Sequence, residues 1–245
     1  LLRAAVITGY KKSGKTETVE GLVRELVARG HRVATIKHIP RADFSMDQPG
    51  KDTWRHAKAG ASPVISINPG ELATIEKRSP KLEDVLRGIH ETDFVLIEGF
   101  KEVQNIAKVA VARDDGEASK LDDEFTVGFI GHGVKGKPVL NRGDVSALAD
   151  LVERKAISPV GGLDCRDCGY ESCREFSLAA LAGKAPKDGC KALHGKVILT
   201  VDGKQVPLKS FMQDLVAGVI RGMLSSLKYA EGEQIELRVV ESGSR

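Results

Sequence analysis

The chain has no run of five or six consecutive basic residues, and its formal net charge over 245 residues is only +3. Charge so small and scattered gives no electrostatic footprint for nucleic acid, so no nucleic-acid partner is expected. No apolar stretch approaches the roughly 18 residues that a membrane-spanning helix needs. The opening LLRAAVITGYKKSGKT runs straight into a strand-like segment instead of a signal-peptide cleavage site. No membrane partner is expected, and a cytoplasmic location is. Position 1 is Leu, not Met, so the start is either missing or unusual. Internal repeats and low-complexity tracts are absent. Cysteine is missing from the first 164 residues, and all four thiols fall between positions 165 and 190. What is present, 41% hydrophobic and 29% charged residues, excludes disorder throughout. The length suits one sizeable domain with one or two small ones.

Residues 1–155 alternate short β-branched runs with helical patterns. AAVITG (4–9), RVATIKH (32–38), SPVISI (62–67), FVLIEG (94–99), AKVAVAR (107–113) and FTVGFIG (125–131) read as strands. Between the first two, Val19, Leu22, Val23, Leu26 and Val27 recur at helical spacing, and Gly30 ends the helix. Helices are also expected over 81–91 and 145–155. The sum is an α/β fold with a mainly parallel, doubly wound sheet. The pattern breaks near 156, giving three expected units: 1–155, a cysteine module over 156–194, and a small α+β unit over 195–245. The last contains a hairpin turning at Asp202-Gly203. After it come a helix with Phe211, Leu215, Val219, Met223 and Leu227 along one packed face, and a final strand, QIELRVV.

GYKKSGKT fits G-x-x-x-x-G-K-[ST] between a predicted strand and a predicted helix, the context that gives this motif physical meaning. Its glycines let backbone N–H groups and the helix N-terminus wrap a polyphosphate, which makes the domain a P-loop NTPase. Gly9, Ser13, Gly14, Lys15, Thr16 and Glu17 form the expected nucleotide set, with Lys15 reaching the β- and γ-phosphates and Thr16 holding Mg²⁺. Lys11 and Lys12 stand where such loops often carry small residues, so the loop chemistry differs in detail. FVLIEGF supplies a carboxylate, Glu98, at the end of an apolar strand. It binds Mg²⁺ through water, polarises the attacking water, or simply marks where the strand meets solvent. Lys15 and Glu98 are the candidate catalytic pair.

KPVLNRGD resembles the N-K-x-D guanine-reading motif of GTPases, with Arg142 in place of Lys. Asn141 and Asp144 would then select GTP over ATP, since a carboxylate pairs with guanine N1–H and its amine as adenine cannot. Alternatively Asp144 caps the helix that follows. Residues 36–61 begin at the carboxyl end of a strand, the side where open α/β sheets bind ligands, and carry His38, Asp52 and Arg55 together with the chain's only Trp. Lys51, Arg55 and Lys58 could meet an anion there and Asp52 could join the metal site. A solvated loop and helix surface is the competing reading.

Together, ITGYKKSGKT, ATIKH leading to DQPGKDTWRHAKAGA, and DFVLIEGFK resemble the molybdopterin-guanine dinucleotide biosynthesis protein B (MobB) family over residues 3–155. The resemblance implies a P-loop GTP-binding protein with weak hydrolysis, in which Gly9, Lys15 and Thr16 hold phosphate and Mg²⁺ and Glu98 stands in the metal region. His38, Asp52 and Arg55 would face the nucleotide or a molybdopterin-type cofactor. The implied partner is the molybdenum cofactor guanylyltransferase. A homodimer is expected from the family and the apolar C-terminal helix.

Cys165, Cys168, Cys173 and Cys190 follow C-x2-C-x4-C-x16-C. Disulfides do not suit a cytoplasmic setting, and unrelated structural thiols would not cluster so tightly. Structural zinc usually takes two C-x2-C knuckles, whereas here three thiols sit close together and one returns later. That order suits a [4Fe-4S] cluster, with zinc as the alternative, and resembles the module in the large subunit of corrinoid iron-sulfur proteins. A structural role is preferred over a redox one. Three functions follow: a GTP-binding accessory to molybdenum or tungsten cofactor guanylylation, a nucleotide-dependent metallocentre or iron-sulfur assembly protein, and an electron-transfer module.

Overall fold

Strands that read as near-continuous apolar runs are covered on both faces, as in parallel sheets clad by helices. The computed structural model describes residues 2–41, 43–89, 91–197, 199–201, 204–206, 208–226 and 235. β1 (Arg3–Gly9) leads through α1 (Lys15–Ala28) to β2 (Val33–Lys37). α2 (Asp52–Lys58), β3 (Val64–Asn68), β4 (Glu71–Ile75) and α3 (Leu82–Arg87) precede β5 (Phe94–Glu98). β6 (Ala107–Ala112), α4 (Asp115–Leu121), β7 (Thr126–Gly131), β8 (Val139–Leu140) and α5 (Val145–Lys155) follow. The chain continues through α6 (Cys173–Leu181), α7 (Lys191–His194), β9 (Leu199–Val201), β10 (Lys204–Val206) and α8 (Ser210–Leu224).

Six strands form one parallel sheet in the order β2-β5-β1-β6-β7-β8. The expected doubly wound P-loop architecture is therefore present. Alternate residues of β1 enter different layers, as the two-residue strand period requires. Ala5 and Ile7 pack with Leu22 and Leu26 of α1 and Leu148, Leu151 and Val152 of α5. Ala4 and Val6 pack on the opposite face with Leu82 and Leu86 of α3. Farther along that sheet, Ala110, Ala112 and Phe129 meet Ala118 and Leu121 of α4. Val27, expected on the buried stripe of α1, is 54% exposed.

Three further expectations need correction, and α4 was not anticipated. SPVISI does not join the main sheet: β3 pairs antiparallel with β4, an unanticipated strand, in a separate ribbon. Ile65, Ile67 and Leu72 of this ribbon are exposed, so burial does not fix it against the main sheet. The helix expected over 81–91 is only α3, which ends where Gly88 follows Arg87. The short helix α4 was hidden in DDGEASKL, where Asp114 caps it by accepting from Glu117 N at 2.8 Å. α8 forms as expected, but Phe211, Leu215, Val219 and Met223 are exposed, and the side chain it buries is Gln213, whose Nε2 donates to Leu208 O. β9 and β10 pair as the expected hairpin. Its turn at Asp202-Gly203, Leu227 and the expected last strand, apart from Ile235, lie outside the described residues.

The segment after α5 stays with the sheet. Ala4 N donates to Ile157 O at 2.9 Å and Ser158 Oγ to Leu2 O at 2.9 Å. Ala107, Phe125 and Ile157 from the sheet side share one apolar core with Cys173, Phe176, Ala180, Leu181, Cys190 and Ala192. Lys155 Nζ to Leu181 O and Lys187 Nζ to Glu153 O tie the same two parts together. Phe176, 2% exposed, sits in the middle of this core. Phe176→Ala should cost about 3–5 kcal/mol by cavity formation. Urea unfolding followed by circular dichroism should show the whole transition moving to lower denaturant, whereas an independent module would leave the main transition in place.

Candidate functional site: a P-loop and a four-cysteine pocket

A loop that leaves a central strand and enters a helix must turn within a few residues, so its backbone comes close to its neighbours. A Cβ on Gly9 would lie 2.6 Å from Val111 O, a backbone atom that cannot yield. Gly14, in the left-handed region at φ 94°, is the N-cap of α1, and a Cβ there would meet Arg142 Nη1 at 2.5 Å. The hydroxyl of Ser13 is wholly buried without a hydrogen-bond partner, as is that of Thr8. An orphaned donor at the N-terminus of a 14-residue helix fits a phosphate oxygen. Lys15 Nζ donates to Tyr10 O at 2.6 Å, folded back over the loop. Burial pushes Lys15 below the ordinary lysine value; Glu98 opposes this, and nearby Lys101 and Lys37 add to it. Such a lysine gains from an arriving polyanion. Glu17 lies in the exposed first turn of α1.

The parallel register sets Glu98 level with Ile7 on one side and Lys37 on the other. Thr16 Oγ1 donates to Glu98 Oε1 at 3.0 Å, so the two residues expected to serve Mg²⁺ are brought together. Among the described residues no group of three or more His, Cys, Asp or Glu side chains is arranged to hold a metal ion. Thr16 and one carboxylate still suit Mg²⁺, which usually completes its shell with phosphate oxygens and water.

Sequence reasoning missed two side chains here. Lys37 binds both oxygens of Glu98, at 3.0 and 3.1 Å. Arg142 Nη1 donates to Ser13 O at 2.7 Å, which fastens the 141–144 turn to the P-loop. Their clues were the lysine of ATIKH, one residue before His38, and the arginine replacing the motif lysine. Asp144 occupies the N-cap position of α5 without a side-chain cap bond. Its Oδ2 instead accepts from Asn141 N and Nδ2, both at 3.0 Å, so the capping alternative is not what its side chain does. His38 follows β2 and stacks on Phe100 at 4.4 Å, where the chain leaves β5. Asp52 and Arg55 sit on α2, exposed and facing each other at 3.8 Å. No hydrogen bond or ion pair joins them to the P-loop among the described residues.

The four cysteines line one pocket with Val160, Leu163 and Phe176. Cys173 and Cys190 are buried, Cys165 and Cys168 half-buried, and all are unbridged. Cys173 begins α6, whose cap Ser172 accepts from Glu175 N at 3.1 Å, and Cys190 is the N-cap of α7. Burial pushes the Cys173 thiol up, while backbone N–H groups of Asp164 and Leu163 directed at its sulfur pull it back. The four sulfurs are not gathered around a single ion among the described residues, but clustered thiols with N–H donors directed at one of them are the kind of donor set a thiolate-bound centre uses. The pocket lies beyond the starts of β1, β6 and β7, while the P-loop follows the end of β1. At about 3.3 Å per residue, Ala4 and Gly9 alone are about 16 Å apart.

Gly9→Ala should displace the P-loop from Val111. A fluorescent-nucleotide titration should show affinity falling at least about tenfold, with a stability loss of about 1–3 kcal/mol from overpacking.

Comparison with known proteins bears on both parts. Residues 4–131 match the family model "Molybdopterin guanine dinucleotide synthesis protein B", and residues 162–192 match a second, "Putative Fe-S cluster". A "Putative molybdopterin-guanine dinucleotide biosynthesis adapter protein" of Methanocaldococcus jannaschii is 31% identical over 232 residues, 93% of this chain and 92% of the relative. The adapter protein of Haemophilus influenzae is 42% identical over 113 residues, 44% of this chain and 62% of the relative. The crystal structure of Bacillus subtilis MobB shares the fold with a TM-score of 0.54 at 24% identity, over 61% of this chain and 98% of that one. Spanning nearly the whole archaeal relative and carrying the sheet, loop and strand-end carboxylate in order, the chain belongs to the molybdopterin-guanine dinucleotide synthesis protein B family.

Proposed function

We propose that the chain is a GTP-binding adapter in molybdopterin-guanine dinucleotide biosynthesis, working with the molybdenum cofactor guanylyltransferase in the cytoplasm and hydrolysing GTP weakly. The observation that carries the reading is the Thr16–Glu98 contact beside a P-loop whose Ser13 hydroxyl is buried without a partner. Backbone N–H groups from Gly9 to Thr16 would cradle the phosphates, and Ser13 would donate to one of them. Lys15, released from Tyr10 O, would neutralise the β- and γ-phosphates. Thr16 and Glu98 would hold Mg²⁺, which supplies charge neutralisation between those phosphates. Asp144, fixed near the loop through Arg142, would accept from guanine N1–H and its amine. Glu98, held by Thr16 and placed to serve Mg²⁺, would not be free to activate water, which supports slow hydrolysis. His38, Asp52 and Arg55 would face the molybdopterin-type cofactor.

Cys165, Cys168, Cys173 and Cys190 would hold a [4Fe-4S] cluster with a structural role. The reading is supported by the shared pocket, the N–H groups aimed at sulfur and the core that α6 and α7 share with the sheet.

Lys15→Ala should abolish GTP binding in equilibrium dialysis while leaving metal content unchanged; native affinity in that variant would remove the site assignment. Protein purified without oxygen should hold about four iron and four sulfide per chain. Cys173→Ser should lower both, and one zinc without iron would replace the cluster with a structural staple.

A further inference from the structure

We infer that Lys37 is a built-in counter-cation that holds the Mg²⁺ position of the P-loop until nucleotide arrives, an inference that rests on the P-loop reading above. Its ammonium lies 3.0 and 3.1 Å from the two oxygens of Glu98 and 3.5 Å from Thr16 Oγ1. These are the same side chains the chain offers to the metal. One monovalent charge therefore faces both Mg²⁺ contacts. The geometry comes from the sheet: Lys37 is the last residue of β2 and is paired in register with Glu98, the last of β5.

Burial decides which partner is fixed and which can leave. The Glu98 side chain is 12% exposed, so a carboxylate without a counter-charge is disfavoured there. The Lys37 side chain is 54% exposed on an edge strand and can swing out on its flexible stem. A free divalent ion must displace this ammonium without compensation. An ion arriving with a polyphosphate offers the displaced lysine new anionic oxygens. Lys37 thus makes metal entry depend on nucleotide: the metal is taken up with GTP and only weakly alone.

Mn²⁺ alone, titrated into the full chain and followed by the electron paramagnetic resonance of the free ion, tests this. Without nucleotide the wild type should bind Mn²⁺ weakly, and Lys37→Gln should bind it about two- to fivefold more tightly, the scale of one partly exposed charge contact. Lys37→Arg, which keeps the cation, should behave as wild type, and adding Glu98→Gln to Lys37→Gln should erase the gain. Melting curves matching wild type would exclude misfolding, and Lys37→Met would repeat the charge removal if Lys37→Gln failed to fold. Unchanged Mn²⁺ affinity in Lys37→Gln, an equal gain in Lys37→Arg, or a gain that survives Glu98→Gln would each overturn the inference. GTP dialysis with excess Mg²⁺ separates this from the parent reading. If wild type takes up no GTP, the P-loop assignment fails; if it takes up GTP and the Mn²⁺ arms show no change, only the role of Lys37 fails.

Discussion

The parallel pairing of β1 with β5 and of β5 with β2 is the constraint on which the rest depends. It sets Ile7, Glu98 and Lys37 level at the carboxyl end of the sheet. A slip of one residue would turn every side chain of the moving strand to the opposite face. Val95 and Ile97 would exchange layers with Phe94 and Leu96, and the two cores would lose their match. Packing across both faces therefore fixes the register, and the register fixes the chemistry. The P-loop carries its own geometry through Gly9 and Gly14, but it reaches a carboxylate only because the neighbouring strand stops where it does.

What could be read in the sequence follows from how local the cause was. The P-loop was legible because glycine spacing and the flanking elements lie in one continuous stretch. Glu98 was legible because four apolar residues before it announce a buried strand. The cysteine group was legible from spacing alone. Lys37 and Arg142 were not, since each gains its meaning from a partner far along the chain, Glu98 or Ser13. Asp144 shows the same limit differently. N-x-x-D satisfies both a capping pattern and a base-reading pattern, and only the contact with Asn141 shows where the carboxylate turns.

Errors in reading the fold had the opposite origin. β3 carries the β-branched residues of an ordinary strand, and nothing local says that it pairs with β4 instead of entering the main sheet. α8 has a regular apolar stripe, and periodicity predicts a buried face wherever such a stripe occurs. In the structure that stripe is exposed, because a pattern specifies which side chains would pack together and not whether a surface is there to receive them.

The cysteine pocket and the P-loop sit at opposite ends of β1, and the pocket leans on a buried wall of Ala107, Phe125 and Ile157 at the strand starts. Damage to the thiols would therefore reach the loop only as loosened packing, never as a direct chemical contact.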